Sequence, residues 1–443
     1  MEHGKTLKVS LNHPIKNEGP YTFDVPADPE YYTDLSSCRL QMKFKVVKHD
    51  GTHLTDNDVV APINNLPHSL FNSVQFFSNN QLVTDQSTLQ YSIKAYVENV
   101  LSYNTSNDSA GAYTMGHCLE SDMFFMDTPN HYNDVGTPAI AAVGAAPAVD
   151  AKISENTGFK NRQFLIRGSR VVDVMVPLHV DVINTPTFLP LESDFQIKFT
   201  RNSDKYLFMV RDVALAPKIE LLSMVLYVNK IKVKPEKVLE HNSLLAGGQL
   251  GAFPLSRTVI KELSLTRGAT NFEWSNIFGT ALVPNQIILL LADSAALNGD
   301  YQRNPLRFYH YQLRSLTPTV NGHVIANAGE GYSEMQWGAI EQNLAVPFRS
   351  NVDQLGYKQY NVETFLTKQQ FKHGCTLFVF DTSPDLCGNT CLHPPKRGAV
   401  NIKGVFADAL PENVTVIALG AYRDYMILDK FKTLTLHGLN FYV

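Results

Sequence analysis

The residues that could do chemistry gather in one stretch, KHGCTLFVFDTSPDLCGNTCLHPPKRG, which begins at residue 372. It carries His373, Cys375, Cys387, Cys391 and His393, and thiolate and imidazole groups are ligands that structural zinc sites use. The C-x-C and C-x-x-C spacings of common zinc sites are missing. A disulfide between Cys387 and Cys391 is an alternative, but we favour a solvent loop with incidental thiols and a core position for Cys375. We therefore predict no metal-binding residue.

Other polar residues have structural explanations. Lys230, Lys232 and Lys234 alternate along one strand and could contact phosphate, but lysines on an edge strand more often block unwanted pairing. His68 precedes a hairpin, where we expect it to cap or pack. Three N-x-[ST] sequons, which we interpret as chance matches because no secretory signal is seen, begin at Asn104, Asn107 and Asn413.

No catalytic signature is present. The sequence lacks the G-x-x-x-x-G-K-[ST], G-x-S-x-G, H-E-x-x-H and H-x-H motifs, and the missing H-x-H argues against a metal-dependent cupin. A carbohydrate-binding β-sandwich or glycosidase stays open as the alternative, and hydrolysis would need two carboxylates. Trp274 and Trp337 are the only tryptophans, with Glu334 and Glu341 near the second. We predict no catalytic or cofactor-binding residue, no cofactor and no enzymatic activity.

Composition favours a large β-rich protein. A chain of 443 residues suggests two or three domains, and only 18% of residues are charged, against roughly 25% in globular proteins. Low charge fits a protein that buries surface against its own copies, although an ordinary β-rich domain would look the same. The net charge of −4 does not require nucleic acid. With no signal peptide, no apolar run of membrane-spanning length and five scattered cysteines, we expect a soluble chain made in a reducing compartment.

Alternating patterns predict strands and hairpins. Residues 38–47 and 195–201 alternate apolar with polar, whereas 413–422 is apolar on both faces. We predict three hairpins, at 71–85 with its turn at Asn79-Asn80, at 226–233, and at 318–326. The Asn321-Gly322 turn is the strongest, because a type I′ turn needs positive φ at both central residues.

Helices are few. We predict helices over 87–103, with a capping box of Ser87 and Gln90, over 234–248, with an apolar stripe of Val238, Leu239 and Leu245, and over 361–372. Between the first helix and the next strand lies a long segment, 104–161, that includes the Ala-rich residues 137–151. Loops of this length are usually functional or mobile.

The two halves of the chain share one plan: a strand, a longer strand, a hairpin and a helix. Corresponding features recur at nearly constant offsets, from Phe23 to Phe272 (249), from Met42 to Ile287 (245) and from Asn80 to Asn321 (241). This predicts two antiparallel domains of the same topology, which are sandwiches or jelly rolls.

The chain resembles the major capsid protein of Polinton (Maverick) elements and adintovirus-like viruses, from the double jelly-roll lineage of hexon-type capsid proteins. The similar stretches reach from about residue 20 to 430 in family order, whereas 137–151 and the Cys387 to His393 loop have no counterpart. The stretches are PINNLPHSLFNSVQFFSNNQLV, YSIKAYVENVLSY, LHVDVINTPTFLPLESDFQIKFTRNSD, LYVNKIKVKPEKVLEH, VPNQIILLLADSAALNGDYQRNPLRFYHYQL, TPTVNGHVIA, GCTLFVFDTSPDL and NIKGVFADALPENVTVIALGAYRDYMILD.

The resemblance implies an all-β fold of two tandem eight-stranded jelly rolls, residues 1–240 and 241–443, with a few short helices in the connections. It implies a homotrimer that forms pseudo-hexameric capsomers and tiles the icosahedral shell of a double-stranded DNA virus or virus-like element. The partners would be neighbouring capsomers, a minor penton-type protein, packaged DNA bound without sequence specificity, and a host receptor contacted by outer loops. The protein would be made in the host cytoplasm, assembled there or in the nucleus, and found in the virion, with 104–161 as an outward tower.

Overall fold

Strands form most of the structure, a computed structural model that describes residues 3–84, 90–102, 157–185, 187–190, 192–326, 329–338, 342–354, 366, 368–383 and 396–436. In chain order they are β1 (Gly4–Ser10), β2 (Tyr21–Val25), β3 (Tyr31–Val47), β4 (Val60–Pro62), β5 (Phe71–Ser78), β6 (Gln81–Leu82), β7 (Val172–Pro177), β8 (Phe195–Arg201), β9 (Phe208–Val210), β10 (Lys218–Lys232), β11 (Gly251–Leu265), β12 (Asn271–Trp274), β13 (Gln286–Asp293), β14 (Leu313–Val320), β15 (His323–Val324), β16 (Leu377–Asp381), β17 (Val400–Phe406), β18 (Val414–Leu428) and β19 (Leu434–Leu436).

The helices are short and lie in the connections. They are α1 (Leu66–Ser69), α2 (Tyr91–Ser102), α3 (Thr157–Ile166), α4 (Asp204–Leu207), α5 (Pro235–Ala246), α6 (Ser294–Asn298), α7 (Ala345–Gln354) and α8 (Lys368–His373). Over the ranges given above, no helix has both the length and the apolar character needed to cross a bilayer.

The two halves have identical strand connectivity. The first half contains the antiparallel sheets β1-β10-β3-β7 and β2-β8-β5-β6, and the second contains β11-β18-β13-β16 and β12-β17-β14-β15. If the eight sheet strands of each half are numbered along the chain, one sheet has the order 1-8-3-6 and the other 2-7-4-5. Each half is therefore an eight-stranded jelly roll. The short pair β4-β9 and the added strand β19 are the departures from the common plan.

The predicted repeat is confirmed by this topology. Phe23 and Phe272 lie on the second strand of their halves, and Met42 and Ile287 on the third. The turns at Asn79-Asn80 and Asn321-Gly322 both join the fourth strand to the fifth. All four turn residues have positive φ, as a type I′ turn requires.

Alternation along the strands separates core from surface as predicted. Leu40, Met42, Phe44 and Val46 of β3 are at most 3% exposed, and the residues between them are more accessible. Strand β18 is buried on both faces from Val414 to Gly420, which confirms the prediction for 413–422.

The hairpin predicted at 226–233 is wrong. Those residues continue the single strand β10, which pairs with β1 on one side and β3 on the other, with a register shift between Tyr227 and Asn229. The edge-strand interpretation of the lysines is wrong for the same reason. Lys230 points inward and is 1% exposed, Lys232 is half-buried, and Lys234 lies beyond the strand end.

The predicted helices agree in part with the helices of the structure. Helix α2 begins at Tyr91, and Ser87 of the predicted capping box lies outside the described residues, as do 104–156 and most of 361–367. Helix α5 begins at Pro235 and is followed by Gly247, but Leu239 is 70% exposed, so the predicted apolar stripe is wrong there. Because α5 connects β10 to β11, the boundary between 240 and 241 falls inside a helix and remains a prediction.

Substitution of Gly404 tests the packing inside the second jelly roll. It lies opposite Phe272 on neighbouring strands, and an added Cβ would overlap the Phe272 ring. We expect Gly404→Ala to lower the free energy of unfolding by about 1–3 kcal/mol, measured by urea denaturation. The control is Gly4→Ala, where the nearest atom to the new Cβ is the Lys230 carbonyl oxygen at 3.4 Å. Equal stability of the two variants would contradict this packing.

Candidate functional site

The cysteine and histidine stretch does not assemble a site among the described residues. Cys375 is fully buried, and burial raises the pKa of its thiol to about 12, whereas zinc binds the thiolate. Cys387, Cys391 and His393 lie outside the described residues, so the loop's role remains a prediction. Over the part of the chain that the structure describes, no three His, Cys, Asp or Glu side chains are placed to share a metal ion.

Trp337 and Glu334, which were considered for glycan binding, make structural contacts instead. Trp337 is 4% exposed, stacks on His310 and donates its indole N–H to the Leu313 carbonyl at 2.7 Å. Glu334 is exposed and forms an ion pair with Arg314, and Glu341 lies outside the described residues. Trp337 is thus a core residue and offers no platform to a sugar.

The sequons and His68 have the following positions. Asn413 is exposed, and its side-chain oxygen accepts the Arg267 backbone N–H at 2.9 Å, while Asn104 and Asn107 lie outside the described residues. His68 is 1% exposed and its Nδ1 lies 3.0 Å from the Tyr91 hydroxyl. This packing role agrees with the interpretation given to His68 from sequence.

Helix α2, which precedes the long segment of the first half, lies where the two halves meet. It contacts α1 and β5 of the first half, and the Tyr96 ring lies 5.9 Å from Phe308 of the second half. From Tyr91 to Leu101 every residue is buried except Glu98, which is half-buried. A helix buried on all sides is normally apolar, so the charged residues of α2 need a specific explanation.

Lys94 of α2 supplies that explanation. Its amine lies 2.8 Å from an Asp181 oxygen, 3.0 Å from a Glu98 oxygen and 2.7 Å from the His179 carbonyl oxygen. Burial by itself would lower the Lys94 pKa, but the two carboxylates outweigh it and raise the pKa above its ordinary value. The ammonium therefore stays charged, with an acceptor for each of its three protons.

The carboxylate of Glu98 is shared between two cationic or polar groups. Its second oxygen lies 2.7 Å from His179 Nδ1. Burial would raise the Glu98 pKa, but Lys94 and His179 reverse that effect and lower it to about 2. The His179 ring in turn packs edge-on against His68 at 4.8 Å, so the ion cluster continues into an aromatic one inside the first half.

Asp181 extends the same cluster to the second half. Its second oxygen accepts the backbone N–H of Thr258 at 2.9 Å, and Thr258 lies on β11, an edge strand of the second half. Next to it, Arg257 pairs with Asp424 at 3.2 Å. An unpaired backbone N–H on an edge strand can pair with another chain. Here the Thr258 N–H donates to the Asp181 carboxylate of the first half.

Among the described residues, the cavity at this join is too small for a substrate. The cavity beside Lys94, His179, Asp181 and Arg257 measures about 20 Å³, which is the space of about one water molecule. The arrangement can hold two jelly rolls in one relative orientation, and we interpret it as a structural rather than a chemical site. The sequence reasoning missed it, although Lys94 and Glu98 are spaced i, i+4 along the helix predicted over 87–103.

A second histidine pocket occupies the equivalent place in the second half. His310 precedes the first residue of the fourth strand, Leu313, by three positions, as His68 precedes Phe71. Its ring is 2% exposed, stacks on Trp337 at 4.1 Å, and accepts the Gln312 backbone N–H at Nδ1. Burial, followed by His373, Arg307 and Lys372, lowers the His310 pKa well below its ordinary value. The first pocket contains a carboxylate, whereas cations surround the second.

Removing the charge of Lys94 tests the join. Lys94→Met leaves Asp181 and Glu98 without their buried cation, and we expect the free energy of unfolding to fall by about 3–5 kcal/mol, measured by urea denaturation. The matched control is Lys237→Met, which breaks the exposed pair of Lys237 and Glu240 and should leave stability unchanged. Equal effects of the two substitutions would show that the cluster does not hold the halves together.

The second pocket predicts sensitivity to acid. Burial, Lys372 and Arg307 lower the His373 pKa to about 3, and the His310 pKa is lowered as well. Below pH of about 6.5 the unfolded chain therefore binds protons that the folded chain excludes, and the free energy of unfolding falls by up to about 1.4 kcal/mol per pH unit for each histidine.

The measurement is a series of urea denaturations between pH 7.5 and 5. His310→Asn keeps an acceptor for the Gln312 N–H and removes one titrating group, so stability should depend less steeply on pH. His13→Asn, at an exposed position, is the matched control and should keep the wild-type slope. An unchanged slope in His310→Asn would contradict the role given to this pocket.

Comparison with known proteins supplies relatives at the level of fold. No family model matches the sequence. The chain is 23% identical over 442 residues to an uncharacterized protein of Caenorhabditis elegans, covering 93% of this chain and 91% of that one.

Three solved structures are similar along nearly the whole chain. A chain of the Sputnik virophage has a TM-score of 0.57 at 11% identity, over 98% of this chain and 88% of that chain. The Faustovirus major capsid protein has a TM-score of 0.52 at 10% identity, over 96% and 90%. The mavirus major capsid protein has a TM-score of 0.50 at 12% identity, over 97% and 89%. At these identities the likeness concerns the fold, and the chain folds as a double jelly roll.

Proposed function

We propose that the chain is the major capsid protein of a double-stranded DNA virus or virus-like element. The observation that carries the proposal is the pair of jelly rolls with identical connectivity in one chain. The similar folds support it, because the mavirus and Faustovirus structures are major capsid proteins and match 97% and 96% of this chain. The proposed role is structural rather than enzymatic, because the similar solved structures are capsid proteins.

The proposed assembly is a homotrimer that forms a pseudo-hexameric capsomer and tiles an icosahedral shell. Two similar units in one chain become six in a trimer, which is how three copies can imitate a hexagon. A closed three-fold ring requires a heterologous interface, in which different faces of the chain meet.

The finer assignments rest on the sequence resemblance. They are membership of the Polinton and adintovirus group, a minor penton-type partner, packaged DNA bound without sequence specificity, and a host receptor contacted through outer loops. We place the protein in the virion, with assembly in the cytoplasm or nucleus. The predicted tower segment 104–161 is wrong at its end, because residues 157–161 begin helix α3, where Phe159 is fully buried. We propose that residues 104–156, which lie outside the described residues in the connection from β6 to β7, form an outward tower.

The experiment is size-exclusion chromatography with light scattering, followed by electron microscopy of the assembled fractions. We expect a stable species of three 49.5-kDa chains, or shell-like particles. Limited proteolysis of particles should cut first within 104–161, and resistance of that segment while other sites are cleaved would contradict the tower. A clean monomer that binds glycans on an array would reverse the proposal in favour of a carbohydrate-binding sandwich.

A further inference from the structure

The Lys94 cluster holds an amine and two carboxylates together in a place with little access for water. The Lys94 side chain is 3% exposed and that of Asp181 is 12% exposed, whereas the surface pair of Lys43 and Asp173 is exposed by 46% and 47%. The cavity beside the cluster has room for about one water molecule. Close contact and poor solvation are conditions that activate a lysine amine as a nucleophile.

The amine and the carboxyl group of this pair are placed to react with each other. Lys94 Nζ lies 2.8 Å from Asp181 Oδ1, and Asp181 Oδ2 accepts the Thr258 backbone N–H at 2.9 Å. That N–H can stabilise the negative charge that develops on Oδ2 when the amine attacks the carboxyl carbon, as the donors of an oxyanion hole do. Well-oriented groups within one molecule react with effective concentrations of about 10⁵–10⁸ M.

Glu98 offers a path for the protons of the amine. One of its oxygens lies 3.0 Å from Lys94 Nζ, and the other lies 2.7 Å from His179 Nδ1. Burial lowers the Lys94 pKa, but the two carboxylates raise it overall, so the amine must first lose a proton to become a nucleophile. A carboxylate in contact with Nζ can take that proton as a general base. Burial outweighs Lys94 and raises the Asp181 pKa, which favours the protonated carboxyl group that can lose water.

We propose that Lys94 and Asp181 condense into an amide crosslink, with Glu98 carrying protons from the amine to the departing oxygen. The bond between Nζ and the Asp181 carboxyl carbon forms, and the bond from that carbon to Oδ1 breaks. Two of the ammonium protons leave with Oδ1 as water, and the third stays on the amide nitrogen. The net charge is unchanged, because one positive and one negative group are consumed together. Both reactants belong to the chain, so the reaction needs no substrate cavity.

The crosslink closes a covalent ring from residue 94 to residue 181. It joins α2 to the connection between β7 and β8, and residues 104–156 lie inside the ring. Oδ2 of Asp181 keeps its hydrogen bond to Thr258, so the crosslink fixes the segment that contacts the second half. A neutral amide also removes the desolvation cost of two buried charges. The product therefore strengthens the structural role of this join.

Mass spectrometry of the denatured full chain tests the proposal. We expect the wild-type chain to be lighter than its sequence by one water molecule, with a branched tryptic peptide that contains Lys94 and Asp181. Lys94→Arg keeps the positive charge without an amine that can form the amide, and should have the full mass. A wild-type chain of full mass would overturn the proposal. A deficit that persists in Lys94→Arg would overturn it too, because water would then be lost elsewhere, as by cyclisation at Asp50-Gly51.

The rate of crosslinking tests the part given to Glu98. The linked fraction is followed by mass after cell-free synthesis of the full chain. We expect it to grow about 10²-fold or more slowly in Glu98→Gln, since the amide cannot accept the proton. The matched control is Glu240→Gln, which changes the exposed pair with Lys237 and should keep the wild-type rate. Equal rates in the two variants would overturn the proton path through Glu98.

Cleavage within the ring gives a measurement that does not depend on mass. After limited proteolysis between residues 104 and 156, the two wild-type fragments should migrate together on a denaturing gel, because the amide still joins them. Reductant in the sample excludes a disulfide as the link. The same cleavage of Lys94→Arg should give separate fragments. Separation of the wild-type fragments would overturn the crosslink and leave the proposed capsid role standing, since that role rests on the fold.

Discussion

One buried ammonium group constrains how the whole chain is arranged. The acceptors of Lys94 come from its own helix, from the backbone at His179 and from Asp181. An ammonium ion in that place without acceptors would cost several kcal/mol, so these segments are stable together only when all three converge. Because Asp181 also accepts the Thr258 N–H of the second half, the same requirement sets how the two jelly rolls meet. Hydrophobic burial alone has no such directional demand.

The two halves share a buried histidine position but surround it with different side chains. Each half has a buried histidine three residues before its fourth strand, and each fourth strand has a register shift near its start. In the first half the nearby His179 contacts the Glu98 carboxylate through Nδ1. In the second half His310 stacks on Trp337 among cations. The backbone position is therefore common to the repeat, while its surroundings differ: a carboxylate lies near it in the first half and cations lie near it in the second.

The low charge content has an internal cause that composition could not reveal. The central strands β13 and β18 of the sheet β11-β18-β13-β16 are buried on both faces over much of their length, and the first half borders this sheet at Thr258 on β11. Some of the missing charge is thus explained within a single chain. On the equivalent sheet of the first half, charged side chains are paired within the chain, as Lys43 is with Asp173 and Lys45 with Glu220.

Local patterns in the sequence determined the strands, the two type I′ turns and the repeat, because alternation and positive-φ residues act over a few neighbours. The same reasoning placed a hairpin at 226–233, where only the pairing of β10 with both β1 and β3 decides for a continuous strand. It also could not join Lys94 to Asp181 or Asp181 to Thr258, since these partners lie far apart along the chain. Such long-range electrostatic contacts follow from tertiary packing, and no periodicity of the sequence encodes them.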